Sequence, residues 1–213
     1  MDAKEKIIIT IGRQFGSGGR ELGKMLAEKF GFDYYDKKLL IEGAAHAGVC
    51  PEFFEKRDEK MPSFFSGMIQ PWVSAGSASW YGGVWYGGDD STYSCQCEVI
   101  RKIADKGSCV IVGRSADYVL RSYPNVLNIF VHAPLEVCAK RIVERGDAAS
   151  IEDASAKSNK INKLRANYYN FYTDKNWGDA SSYDLTFDSS KITMESAVEV
   201  IRIYVKMRFG IDL

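Results

Sequence analysis

The chain has 213 residues, 46% of them hydrophobic, with 28 Lys plus Arg set against 28 Asp plus Glu. That length suits one α/β domain carrying an insertion, and a formal net charge of zero offers no global attraction to nucleic acid or to a membrane surface. No run approaches the roughly 18 apolar residues of a membrane span, and the start MDAKEKIIITIG is too short and too soon interrupted by glycine for a signal peptide, so a cytoplasmic protein is expected.

In chain order, Lys6 to Gly12 reads as a buried strand, an isoleucine-rich run ended by glycine. Gly18 to Phe30 carries Leu22, Met25, Leu26 and Phe30 at helical spacing. FDYYD is a short second strand, and Lys37 to Ala47 is helical in pattern. Residues 61–93 are rich in glycine, serine and aromatics without a sustained period. So long an irregular stretch is either a functional insertion, lid-like or partner-contacting, or a surface loop. SCVIVG (108–113) and VLNIFVHA (126–133) are near-continuous apolar runs of the kind buried on both faces of a parallel sheet. Helical patterns follow at Ser115 to Arg121 and Pro134 to Arg145, then from about Ile151 to Tyr172; YDLTFDSS is a last strand and Met194 to Arg208 a closing helix. Alternating strands and helices predict an α/β, doubly wound parallel sheet flanked by helices. The cysteines, Cys50, Cys95, Cys97, Cys109 and Cys138, are odd in number and scattered, which points to reduced thiols, and no second Cys or His pair completes a zinc site with Cys95 and Cys97.

The stretch that carries chemistry is IGRQFGSGGRELG, residues 11–23, between the first strand and the first helix. As a dinucleotide pattern GxGxxG it would use Gly16 and Gly18, but the third position falls on Glu21, with Asp36 at the distance of a ribose-binding acid. As a P-loop, GxxxxGK[ST], with Gly19 before the cation, it has Gln14 at the first glycine, Arg20 for lysine and Glu21 for the hydroxyl residue. Gly16, Gly18 and Gly19 tolerate positive φ, so with Ser17 they can turn amides toward an anion at the positive end of the helix dipole. A carboxylate at Glu21 about 4 Å from a phosphate oxygen would cost on the order of 4 kcal/mol. Glu21 therefore binds Mg2+, pairs with Arg13 or Arg20, or points away.

These motifs, in their order, resemble the cytidylate kinase-like proteins, P-loop relatives of the nucleoside monophosphate kinases. The resemblance rests on ITIGRQFGSGGRELGKMLAEKFG, YYDKKLL, CVIVGRSADYVL, NKLRANYYNFYTDKNWGD and YDLTFDSS. It implies a P-loop kinase-like domain over 1–213, with an acceptor-binding and insertion region at about 37–106 and a lid-like region at about 146–165. Gly113 and Arg114 match the family's Gly-Arg, with Ser115 where aspartate would stand. Arg165 matches the arginine of the last motif, with Asn162 in place of its aspartate. Asp36 matches the aspartate opening the monophosphate site, followed here by Lys37 and Lys38.

Phosphoryl transfer asks a protein chiefly to align two groups and neutralise charge, which arginines and Mg2+ do. The resemblance thus implies ATP and Mg2+ as cofactors and a nucleotide or other small phosphorylated acceptor, with no nucleic acid and no membrane; exposed-looking aromatics are compatible with a homo-oligomer. Arg20, Arg114 and Arg165 are the catalytic candidates; Gly16, Ser17, Gly18, Gly19, Arg20 and Glu21 would hold the nucleotide, and Glu21 the metal. Asp36, Arg114, Lys157 and Lys160 are the acceptor-side candidates, with Arg141 and Arg145 behind them. Tyr168, Tyr169, Tyr172 and Trp177 read as packing residues. Two rivals remain: a nucleotide- or anion-binding protein without transferase activity, and a dinucleotide oxidoreductase.

Overall fold

A computed structural model describes residues 6–36 and 90–213. The expected Lys37 to Ala47 helix and residues 61–89 of the expected irregular insertion lie outside the described residues, as do residues 37–89 of the acceptor-binding and insertion region expected at about 37–106.

Five parallel strands form one sheet: β1 (Ile8–Arg13), β2 (Asp33–Tyr35), β3 (Cys109–Val112), β4 (Val126–His132) and β5 (Leu185–Asp188), in the order β2-β3-β1-β4-β5. The registers are parallel throughout, Ile9 opposite Val110 on one side and Leu127 on the other. The central strand buries Ile8, Ile9, Thr10 and Ile11 in succession because both faces are covered, so the usual alternation of a one-sided strand is absent. The doubly wound parallel sheet predicted from the strand and helix alternation is the fold observed.

The helices are α1 (Gly19–Phe30), α2 (Asp90–Lys106), α3 (Ala116–Val119), α4 (Leu135–Glu144), α5 (Ile151–Thr173) and α6 (Met194–Phe209). On one face α1 and α6 pack Leu22, Leu26, Val198 and Ile201 against Ile9, Ile11, Val110 and Ile129. On the other, α2 and α3 bring Ile100, Ile103, Val119 and Leu120 onto Ile8, Cys109 and Ile111. α5 begins with Ser150, whose hydroxyl accepts from the Asp153 amide, and α6 with Thr193, which accepts from Ser196; each cap satisfies one of the orphan donors of a first turn. Pro134 precedes α4 as its N-cap.

Two expectations are corrected. The irregular stretch does not run to Tyr93: Asp90 already begins α2, whose Val99, Ile100, Ile103 and Ala104 are buried at helical spacing. The cysteines are not uniformly reduced thiols. Cys97, Cys109 and Cys138 are free and buried, whereas Cys95 is disulfide-bonded.

The tyrosines of α5 pack as expected. Tyr169 is buried and its hydroxyl donates to Asp117 (2.6 Å); Tyr172 stacks on Tyr93 with centroids 3.9 Å apart; Trp177 meets Phe130 edge-on.

Candidate functional site

β1 ends at Arg13 and α1 starts at Gly19, so the glycine-rich turn sits at the C-terminal edge of the sheet, beside the point where the strand order reverses. Open α/β sheets bind ligands at that edge. The turn depends on Gly16 (φ 86°) and Gly18 (φ 84°), both left-handed. Gly18 is the N-cap of α1, whereas Gly19 is already helical. The conformational demand for glycine at the mouth of the helix therefore falls on Gly18, one residue before the position expected from the pattern.

The loop's carbonyls are tied into the protein. Arg13 O accepts from Arg165 Nη1 (2.9 Å), Gln14 O from the Ser17 amide, Phe15 O from the Ser158 hydroxyl (3.1 Å) and Gly18 O from the Leu22 amide. Ser17 O takes the hydroxyl of Ser189 (2.7 Å) and Nη1 of Arg141 (3.3 Å), while the same guanidinium donates to Ser189 Oγ and O at 2.8 and 2.9 Å. Three of the loop's neighbouring amides also have partners: Gln14 N donates to Val131 O, Phe15 N to Asn162 Oδ1 (2.8 Å) and Ser17 N to Gln14 O. Among the described residues the amides of Gly16, Gly18, Gly19, Arg20 and Glu21 have no acceptor. With carbonyls held inward and donors unspent at the positive end of a helix, the turn has the makings of an anion-binding nest.

Ser17 offers a ligand neither its hydroxyl nor its amide, which donates to Gln14 O. It is fully buried, and its hydroxyl lies 3.0 Å from Gln14 O and 2.9 Å from Val131 O, sharing one proton between them. Arg20, at the first turn of α1, pairs through Nε with Asp36 Oδ2 at 3.5 Å, with its side chain about half exposed. Glu21 is exposed and makes no hydrogen bond or ion pair with any described residue; of the alternatives open for it, pairing with Arg13 or Arg20 is not what is seen. Between these groups Tyr34 has its hydroxyl buried without a partner, and its pKa is pushed up to about 12, first by burial and then by the Asp36 carboxylate, against the pull of Arg20 and Arg13.

The end of β3 supplies a second polar cluster. Gly113 (φ 83°), Arg114 (φ 64°) and Ser115 (φ 52°) are left-handed in succession, strain that for the two non-glycine residues costs of order 1–3 kcal/mol each. Buried Gln96 holds the turn, its Nε2 donating to Arg114 O (3.1 Å) and to the Tyr168 hydroxyl (2.7 Å). Gln96 Oε1 and Ser115 Oγ are buried with no hydrogen-bond partner. Burial pushes the Tyr168 pKa up to about 12, with the Arg114 guanidinium pulling it down. Arg114 is thus held at the C-terminal edge of the sheet by a strained, left-handed backbone.

Of the remaining candidates, Arg165 braces the loop through Arg13 O, and Lys157 donates to Asp147 O (2.5 Å). Lys160 is exposed on α5. Arg145 pairs with Asp147 (3.0 Å). The helix expected to act as a lid is seated on the loop, with Ala154 and Ile161 packed in a cluster with Phe15, Ala139 and Ile142. Sequence reasoning missed Gln14, whose Oε1 accepts from the Ala133 amide, together with Gln96, Ser158 and Ser189. A signal existed for one part of this set: Ser158, Asn162 and Arg165 recur at helical spacing and share the face that meets the loop.

A family model described as the cytidylate kinase-like family matches residues 8–191. A cytidylate kinase of Methanosarcina acetivorans is 31% identical over 208 residues, covering 95% of this chain and 98% of the relative. The crystal structure of an uncharacterized protein from Eubacterium ventriosum is 30% identical with a TM-score of 0.71, covering 95% of this chain and all of that one. A shikimate kinase from Bacteroides thetaiotaomicron, 15% identical at a TM-score of 0.54 over 94% of this chain and 98% of its own, shares the fold.

Proposed function

The chain belongs to the cytidylate kinase-like family, and on that footing we propose that it is a P-loop phosphotransferase moving the γ-phosphate of ATP to a nucleoside monophosphate or another small phosphorylated acceptor. The observation that carries this reading is the set of amides at Gly16, Gly18, Gly19, Arg20 and Glu21, which lack acceptors at the mouth of α1 while the loop's carbonyls are anchored elsewhere. Such donors match the oxygens of a β-phosphate, and in a site of low dielectric they stabilise transferred charge without reorganising. Arg165 and Ser158 hold that geometry from behind.

The acceptor would lie on the side of β2 and β3. Arg20 and Asp36 would form one wall there and Arg114 another, with Gln96 Oε1 and Ser115 Oγ, buried without a hydrogen-bond partner, as the polar groups left to bond a ligand or water. Lys157 and Lys160 would add positive charge along α5. Mg2+ is usually held by nucleotide phosphates and one or two carboxylates, and Glu21, unengaged on the first turn of α1, is the side chain offered to it. The ion would supply neutralisation of phosphate charge.

The test is calorimetric titration with ATP followed by assay of phosphoryl transfer to CMP and the other common monophosphates, with Mg2+ or Mn2+. ATP binding with transfer to at least one acceptor is expected. A second reading, a nucleotide-binding protein without transferase activity, draws on the Arg20–Asp36 pair, which engages the carboxylate that would orient the acceptor. Binding without turnover on any acceptor would select it, and absence of binding would remove both.

A further inference from the structure

The cap of α1 fixes a register for the loop that the string of glycines leaves ambiguous. With Gly18 as the glycine that ends the turn, GxxxxGK[ST] begins at Arg13 and places Gly19 at the lysine and Arg20 at the hydroxyl residue. The loop therefore departs from the first part of the pattern at two places, Arg13 where glycine is expected and Gly19 where lysine is expected.

Those two positions touch. A methyl group on Gly19 would lie 2.6 Å from Arg13 Cβ and 3.1 Å from its Cγ, closer than side chains approach. The stem of Arg13 fills the space that a side chain at position 19 would need, and any lysine there would require position 13 to be bare. From that stem the guanidinium reaches across to Gly113 at the end of β3, where Nη1 and Cζ occupy the space of a missing Cβ. Gly113, with its left-handed φ of 83°, accordingly has no room for a side chain. The Arg13 charge is felt by Tyr34 and Tyr183 on either side. Its backbone carbonyl is held by Arg165, so the side chain departs from a fixed point. Arg20 in contrast is directed to Asp36.

From this we infer that Arg13 is the phosphate-binding cation of the loop, reaching the β- and γ-phosphate oxygens from the end of β1 in place of the lysine that a P-loop carries on its helix. The pair Gly and Lys has been exchanged for Arg and Gly, with the charge moved from one side of a contact to the other. A guanidinium offers phosphate two parallel donors where an ammonium offers a point charge. The assignment rests on the nucleotide-binding reading above.

The experiment titrates the wild-type chain, R13Q, R13G and the double variant R13G/G19K with Mg-ATP by calorimetry, each checked for folding by circular dichroism. R13Q keeps most of the stem and removes the charge; it should bind ATP roughly 10- to 100-fold more weakly. R13G/G19K rebuilds GxxxxGK and should bind ATP at least tenfold more tightly than R13G alone, by about 1.4 kcal/mol. An R13Q variant that binds ATP as wild type does, or a double variant no better than R13G, overturns the assignment while leaving the nucleotide reading standing. A wild-type chain that binds no ATP overturns that reading and the assignment with it.

Discussion

Arg141 was a lesser candidate for contact with a ligand, and the structure gives it a different duty that can be measured. Its fork spans Ser17 O, Ser189 Oγ and Ser189 O, stitching the glycine turn to the segment after β5. Replacing it with Ala removes all three bonds. Ser17 O keeps the Ser189 hydroxyl at 2.7 Å, so the group left without a partner is Ser189 O, in a residue only 5% exposed. Bonds to a charged donor are worth about 1.5–3 kcal/mol each but are not additive, and one orphaned carbonyl adds 1–3 kcal/mol; a net loss of about 3 kcal/mol follows. For a chain of this size that lowers the melting temperature by roughly 6–12 °C. Arg141→Lys should recover less than half of it, because an ammonium cannot reproduce the fork. Thermal melts of both variants, with Ser189→Ala and the double variant to close a cycle, give the coupling directly. If Arg141→Ala melts within 1–2 °C of wild type, the bracing role is refuted.

Two other outcomes follow from the core. Cys109 is buried, and burial followed by the neighbouring Asp33 pushes its thiol from 9.0 up to about 12. Its contribution to stability is complete below pH 9 and is lost as pH rises toward 12, at about 1.4 kcal/mol per pH unit for the one proton; Cys109→Ala should flatten the fall of stability between pH 9 and 12 measured by urea unfolding, and an unchanged slope would contradict the assignment. At Gly23 a methyl would lie 2.9 Å from Val112 Cγ2 and 3.2 Å from Ile11 Cδ1. Despite the roughly 1 kcal/mol gain in helix propensity, Gly23→Ala should destabilise by about 1 kcal/mol net as α1 is pushed off the sheet; a stabilised variant would show that the helix has room to move.

The sheet was legible because its strands are short apolar runs punctuated by glycine, a pattern set by local sequence. α2 was not, since its apolar positions follow directly on a glycine- and aromatic-rich stretch that masks where the period begins. The turn itself was legible as a glycine-rich bend between strand and helix, but its register was not: Gly16, Gly18 and Gly19 satisfy the same pattern in more than one alignment, and only the left-handed cap at Gly18 separates them. The braces were hidden for a different reason. Ser189 reaches Ser17 across 172 positions and Asn162 reaches Phe15 across 147, and no periodicity encodes such pairings. Ser17 illustrates the limit well, since a hydroxyl between glycines suggests a ligand contact, whereas burial commits it to two carbonyls of its own chain.

The dependence of the turn on Ser158, Asn162, Arg165 and Ser189 has a consequence for the order of events during synthesis. The glycines emerge among the first twenty residues, yet the last of these anchors emerges near the end of the chain. Because loop-closure entropy delays contacts between distant segments, the nascent amino-terminal half lacks these anchors and cannot hold the turn in its final form. A product cut short before Ser189 would retain β1 to β4 and α1 while losing the anchor that Ser189 gives the carbonyl of Ser17.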